Sequence, residues 1–352
     1  MKRLPMGNIL PREYTIAIKG ILSLFIVGTH LCSTCMPGEA TLWLRLCSAL
    51  TPLALSLFFF FSGVGLMAQL QSRLIQQDKA VPSYWHGWLR RRLWGLLKPF
   101  LFFFVLAYLL QIVAIGVNTF TMEMLFSWLK QSLVGLRYGL VGPPYPAWFL
   151  AELSFLYVFF YLSFRWTRSW WLSISILVGL TIGLTACISL LGFDSYWMRY
   201  PLCFSVGVAF SRWEGFIQET MRRYSVSSSL ITIAFTGLYV LGIARPSHQQ
   251  GFDINLYQLS LLLLPVLLIG QSKNLGITDL FMANRERRVG QALLFLGGIS
   301  LEIYLLHMSF VELFHSPVLY IHSLWGYTLA TYAATLVGAA LIARYLHSLV
   351  RG

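Results

Sequence analysis

Charge is what this chain has least of: Asp, Glu, Lys and Arg together make up 11% of its 352 residues, against roughly 25% in an ordinary soluble domain. No stretch is both long and polar enough to form a water-exposed catalytic domain, so a soluble enzyme is excluded. Acidic groups are rarer than basic ones, 13 against 26, which makes each carboxylate inside an apolar run conspicuous. Cysteine is sparse as well. The five residues, at 32, 35, 47, 187 and 203, lie in or beside apolar segments without the spacing of a metal-ligand array, so no metal is expected. The C-x-x-C at Cys32 and Cys35 reads as small packing residues, with a redox pair or a metal site shared with His30 as the alternative. Glycine-rich nucleotide loops are missing: Gly63-Val64-Gly65 lies inside an apolar run. The chain shows no internal repeat and no low-complexity tail.

What is present is hydrocarbon, at 57% of the residues. Apolar runs able to cross a ~30 Å layer, or nearly so, occupy 15–34, 48–70, 95–117, 147–164, 170–190, 197–211, 228–244, 254–270, 291–314 and 324–348. This is an all-α, polytopic transmembrane helix bundle of about ten spans, a single domain over 1–352. The first run is too long for a signal-peptide core and is kept as a permanent helix. The net charge of +13 raises the question of nucleic acid, but its placement answers it. In a ten-span topology with both termini cytoplasmic, Arg45, Lys130, Arg137, Arg199 and Arg245 are the only outside cations, and the other 21 Lys and Arg lie inside. Basicity here reports topology and contact with membrane lipids. The connection 118–146 carries a helical-period apolar stripe and reads as an interfacial helix broken by Gly142-Pro143-Pro144-Tyr145-Pro146. Gly179 and Gly183 form a small-xxx-small pair suited to close packing within a subunit or between copies in a homo-oligomer.

Ionisable groups inside membrane helices are costly and mark sites. His30 lies about 22 Å along the first helix, and His307 reaches a matching depth in the run 291–314. Glu152 enters the same outer layer from the opposite direction, five residues into the run 147–164. Glu302, five residues before His307, is turned about 140° from it and reads as structural. A histidine that deprotonates a hydroxyl, oriented by a carboxylate, activates a weak oxygen nucleophile for acyl transfer. At the other side, Arg90, Arg91, Arg92 and Lys98 gather beside Trp85 and Trp88, in what reads as a basic loop from Leu70 to Lys98. Guanidiniums suit bidentate contact with phosphate.

Taken in order, these stretches resemble the acyltransferase 3 family of integral membrane O-acyltransferases, from Arg12 to about Arg344. The resemblance rests on Lys19-Gly20 eleven residues before His30, Leu57-Phe58-Phe59-Phe60-Phe61-Ser62-Gly63, the arginine run before Lys98-Pro99, Trp148-Phe149-Leu150, and Ser300 through Tyr304-Leu305-Leu306-His307. It implies a bacterial inner-membrane enzyme that moves an acyl group, usually acetyl, from cytoplasmic acyl-CoA to a carbohydrate or lipid-linked glycan hydroxyl, with no tightly bound cofactor. It implies that His30 is catalytic and that Lys19 and Arg90 to Arg92 hold coenzyme A phosphates, with Lys98 standing in for a missing arginine. Lys19 replaces the family's usual arginine and lacks its planar fork. The Trp-Phe-Leu motif is nearer the exopolysaccharide and lipid-linked sugar branch than the branch with an appended esterase-like domain. In the resulting mechanism His30 is the general base or carries the acyl group, Glu152 fixes its tautomer, and His307 or Tyr304 steadies the oxyanion. The rival class is a transporter or flippase for a lipid-linked sugar.

Overall fold

The computed structural model describes residues 10–36, 38–76, 84–135, 148–167, 169–193, 195–244 and 252–351. Backbone without water around it must close its hydrogen bonds locally, and the apolar runs accordingly form helices. These are α1 (Arg12–Thr34), α2 (Leu42–Gln76), α3 (Trp88–Ile115), α4 (Met122–Gly135), α5 (Trp148–Arg165), α6 (Trp170–Leu190) and α7 (Pro201–Arg223). They continue as α8 (Ser225–Ala244), α9 (Phe252–Asn274), α10 (Ile277–Asn284), α11 (Arg288–Gly298), α12 (Ser300–Leu313) and α13 (Leu324–Arg351). Among the described residues the extended structure is one bridge, between His315 and Tyr320.

Among the described residues, eight helices are long and apolar enough to cross a membrane: α1, α2, α3, α5, α6, α8, α9 and α13. The run 291–314, expected as one helix, is instead α11 and α12, bent by 71°. The turn falls at Ile299, whose φ of −111° and ψ of 16° leave the helical region. Counting that bent pair as one span makes nine. The remaining run, 197–211, divides between a one-turn segment, Tyr196–Arg199, and α7. The second half of α7 carries Arg212, Glu214, Glu219, Arg222 and Arg223, which explains why this helix fails the apolar test. It bends there too, at Trp213, with φ −114° and ψ 20°. The loop expected from Leu70 to Lys98 is shorter than its polarity suggests. Residues 70–76 continue α2 and Trp88 begins α3, so Arg90 to Arg92 stand on a helix. Arginine is a good helix former, and three in a row do not interrupt one. The interfacial stripe forms α4, with Phe126 exposed; residues 136–146 lie outside the described ones.

Two glycine crossings set the spacing of the bundle. A Cβ on Gly63 would stand 2.1 Å from the Phe204 carbonyl oxygen, and one on Gly207 2.1 Å from that of Phe60, so α2 and α7 meet backbone to backbone. Likewise a Cβ on Gly297 would lie 1.8 Å from the Ile16 carbonyl oxygen, which seats α11 on α1. Dispersion between close backbones replaces the hydrophobic drive that lipid does not supply. Among the described residues, a Cβ on Gly179 or Gly183 would meet nothing within 4 Å, so this pair makes no close helix crossing there. Between α2, α5 and α7 the core is aromatic: Phe59 meets Phe149 edge-on at 4.7 Å and Phe60 meets Phe210 at 5.2 Å. Rings of this size dominate the buried contact area.

Candidate active site

With α11 seated on α1, the bend at Ile299 directs α12 alongside α1 and brings two imidazoles together. The ring centres of His30 and His307 are 5.0 Å apart, tilted by 44°. His307 is fully buried and His30 half-buried. The His307 Nδ1 lies 2.7 Å from the Tyr304 carbonyl oxygen and 3.2 Å from that of Ile303. A carbonyl only accepts, so Nδ1 carries the hydrogen, and the Nε2 of the neutral ring presents a lone pair. That Nε2 is buried and has no hydrogen-bond partner among the described residues. Tyr304, one turn below, has its ring centre 6.0 Å from that of His307 and packs edge-on against Phe149 at 5.4 Å.

Beneath this pair lies a partly open cavity of about 160 Å³ between α1, α2, α5 and α12. Its polar lining is Lys19, Ser62, Tyr157, Ser300 and Tyr304, and Ile26, one turn from His30, is part of its apolar wall. Lys19 stands about 16 Å along α1 from His30. Among the described residues its ammonium has no hydrogen bond or ion pair. Neither imidazole is part of the lining; Ile26 and Tyr304, each about one turn from a histidine, are where the cavity comes nearest to the pair. Sequence reasoning missed Ser62, Tyr157 and Ser300. The serine hydroxyls bond their own helices, Ser62 to the Phe58 carbonyl at 2.8 Å and Ser300 to that of Gly297 at 2.9 Å, as serines in apolar helices commonly do. Nothing in their spacing separates such a serine from a lining one.

Glu152 takes a different place from the one its depth suggests. It is fully buried, and neither oxygen has a partner among the described residues. The groups within its electrostatic reach are the Tyr304 phenol and the Cys203 thiol, with no bond to His30. The cavity face of α5 is Phe149, Leu153 and Tyr157, and Glu152 is turned about 100° from Leu153. The carboxyl thus makes no hydrogen bond to His30 among the described residues.

Trp88 opens α3 at the basic end of the bundle. Arg90, Arg91 and Lys98 are exposed there, and Lys98 lines no part of the cavity. Arg92 is half-buried; its Nη2 donates to Gln69 Oε1, about two turns before the end of α2, and its guanidinium carbon lies 5.7 Å from the Trp88 ring centre. Arg92 also lies within electrostatic reach of Tyr157, a cavity residue. Just before α3, burial pushes the Tyr84 phenol above its ordinary pKa, against the hydrogen bond that Trp88 Nε1 donates at 3.0 Å and the pull of Arg92, Arg73 and Arg91. Cys32 and Cys35 are free thiols, and the Cys35 Sγ–H donates to the Leu31 carbonyl at 3.3 Å.

Residues 13–344 match the profile of a family described as an acyltransferase domain. No curated protein and no solved structure matches the chain.

Proposed function

The chain belongs to the acyltransferase 3 family and is a multi-pass membrane acyltransferase; on that premise we propose that it moves an acyl group, acetyl in the simplest case, from cytoplasmic acyl-CoA to a hydroxyl of a carbohydrate or lipid-linked glycan in a bacterial inner membrane. The observation that carries this reading is the imidazole pair one turn beyond a cavity lined by Lys19, Tyr157 and Tyr304. The donor docks its phosphates on Arg90, Arg91 and Arg92 and extends past Lys19, and the acceptor arrives from the opposite end.

His30, the half-buried ring, takes the proton of the acceptor hydroxyl while the oxygen attacks the thioester carbonyl carbon. The C–S bond then breaks, and the thiolate leaves as the thiol with the proton returned from the imidazolium. The lone pair on His307 Nε2 makes this ring a second acceptor able to share that proton. A neutral ring in this tautomer has no hydrogen on Nε2, so oxyanion donation falls to the Tyr304 phenol, which Glu152 adjoins.

The test is purified protein in detergent with radiolabelled acetyl-CoA and a panel of glycan acceptors. Coenzyme A release that requires an acceptor and disappears in His30→Ala supports the enzyme. Glycan binding without turnover, in protein shown to be folded, sinks it in favour of transport.

A further inference from the structure

Four side chains at the basic end stand in one stack. The Arg92 guanidinium carbon is 5.7 Å from the Trp88 ring centre, Trp88 and Tyr161 are parallel to within 14° at 6.2 Å, and the Arg165 guanidinium carbon is 5.1 Å from the Tyr161 ring centre. Helix α3 supplies the first two and α5 the second two. Behind them Trp85 packs edge-on against Trp88 at 5.4 Å and Tyr161 at 5.5 Å, which fixes both platforms. A guanidinium lying on a ring is held in place while its N–H edge stays free to donate. Arg165 is exposed, and its guanidinium carbon lies 5.8 Å from the ring of Trp166, itself 70% exposed.

No described carboxylate answers this charge. The ion pairs among the described residues join Arg222 to Glu219, Lys273 to Asp279 and Arg285 to Glu286, all elsewhere. Arg73 and Arg91 add to the field, since both reach Tyr84 together with Arg92. Guanidiniums in fixed positions with no described carboxylate beside them call for phosphate, whether from a lipid headgroup or from a soluble ligand. One feature favours the ligand: Tyr161 of the stack stands one turn along α5 from Tyr157, which lines the cavity, so a molecule held on the stack lies one helical turn from the cavity wall.

We infer that Arg92 and Arg165 form a paired guanidinium clamp for the phosphates at the nucleotide end of the donor, with the exposed ring of Trp166 as the face on which its base stacks. This rests on the acyl-CoA reading above and adds Arg165, Tyr161 and Trp166 to it. In lipid-free detergent, Arg165→Gln raises the Michaelis constant for acetyl-CoA about tenfold or more, the scale of one lost charge-assisted hydrogen bond. The constant for the acceptor and the rate at saturating donor stay at the level of the unchanged protein. Arg165→Lys, which keeps the charge and loses the fork, falls between the two. Trp166→Ala, on an exposed side chain, weakens donor binding without lowering the melting temperature. The clamp is overturned if Arg165→Gln leaves the donor constant unchanged, if it raises both constants equally, or if its defect appears only in vesicles containing anionic phospholipid, which would assign the arginine to lipid. Should the unchanged protein neither bind coenzyme A by calorimetry nor turn over acetyl-CoA, the donor reading itself falls. An unaltered Arg165→Gln in a working enzyme removes the clamp alone.

Discussion

Replacing His307 by phenylalanine separates chemistry from folding. The native ring gains a hydrogen bond from Nδ1 to the Tyr304 carbonyl at 2.7 Å and leaves Nε2 buried without a partner among the described residues. A typical internal hydrogen bond is worth about 1 kcal/mol, and an unsatisfied buried group costs about 1–3 kcal/mol. Losing both together is neutral or favourable, by about 1 kcal/mol. The Tyr304 carbonyl is not stranded, because it sits inside α12 and retains its place in the helical ladder. The larger ring can lean toward half-buried His30, 5.0 Å away. Acyl transfer should nonetheless fall about 100-fold or more, the usual worth of a positioned base, which corresponds to about 2.7 kcal/mol of barrier. Thermal melting in detergent reads the first quantity, and ester formation from radiolabelled acetyl-CoA reads the second. A variant destabilised by more than about 2 kcal/mol would mean that Nε2 has a partner after all. One retaining more than about a tenth of the native rate would refute the second-acceptor role.

Glu152→Met should behave in the same divided way: removing two unpartnered oxygens raises stability by about 2 kcal/mol, while the rate falls because Tyr304 loses its carboxyl neighbour; a lower melting temperature would contradict this. At the crossing of α2 and α7, Gly207→Ala should cost about 1–3 kcal/mol by pushing a methyl into the Phe60 carbonyl. Gly179→Ala, with nothing within 4 Å, should leave melting in detergent unchanged or slightly raised, and equal losses in the two variants would discount the crossing.

Depth in the membrane was legible from residue counts, because rise per residue is a local property. His30 and His307 were placed in one layer that way, and their rings do meet. Azimuth was less legible, since it depends on which neighbour each helix packs against. Counting put Glu152 in the histidine layer, but its buried oxygens make no hydrogen bond to either imidazole among the described residues. Hydropathy runs unbroken across Ile299, so the bend was invisible to it, although Gly297-Gly298 marked the spot. Arg165 was passed over as one more topology cation, and it is the rings of Tyr161, four residues earlier on the same helix, and Trp166 that give it a distinct position.

The bend at Ile299 also makes the site depend on a residue that never touches it. Because α11 is pinned where Gly297 meets the Ile16 carbonyl, α12 works as a lever whose fulcrum lies ten residues from His307. Two backbone bonds span the elbow, Ile299 N donating to Phe295 O at 3.2 Å and Ile303 N to Ile299 O at 3.0 Å, and they stiffen the arm. A methyl at Gly297 would displace the fulcrum, and the stiff arm would carry that shift to the far imidazole and widen its gap from His30. Alignment of the two imidazoles is thus entrusted to a missing side chain about three turns away.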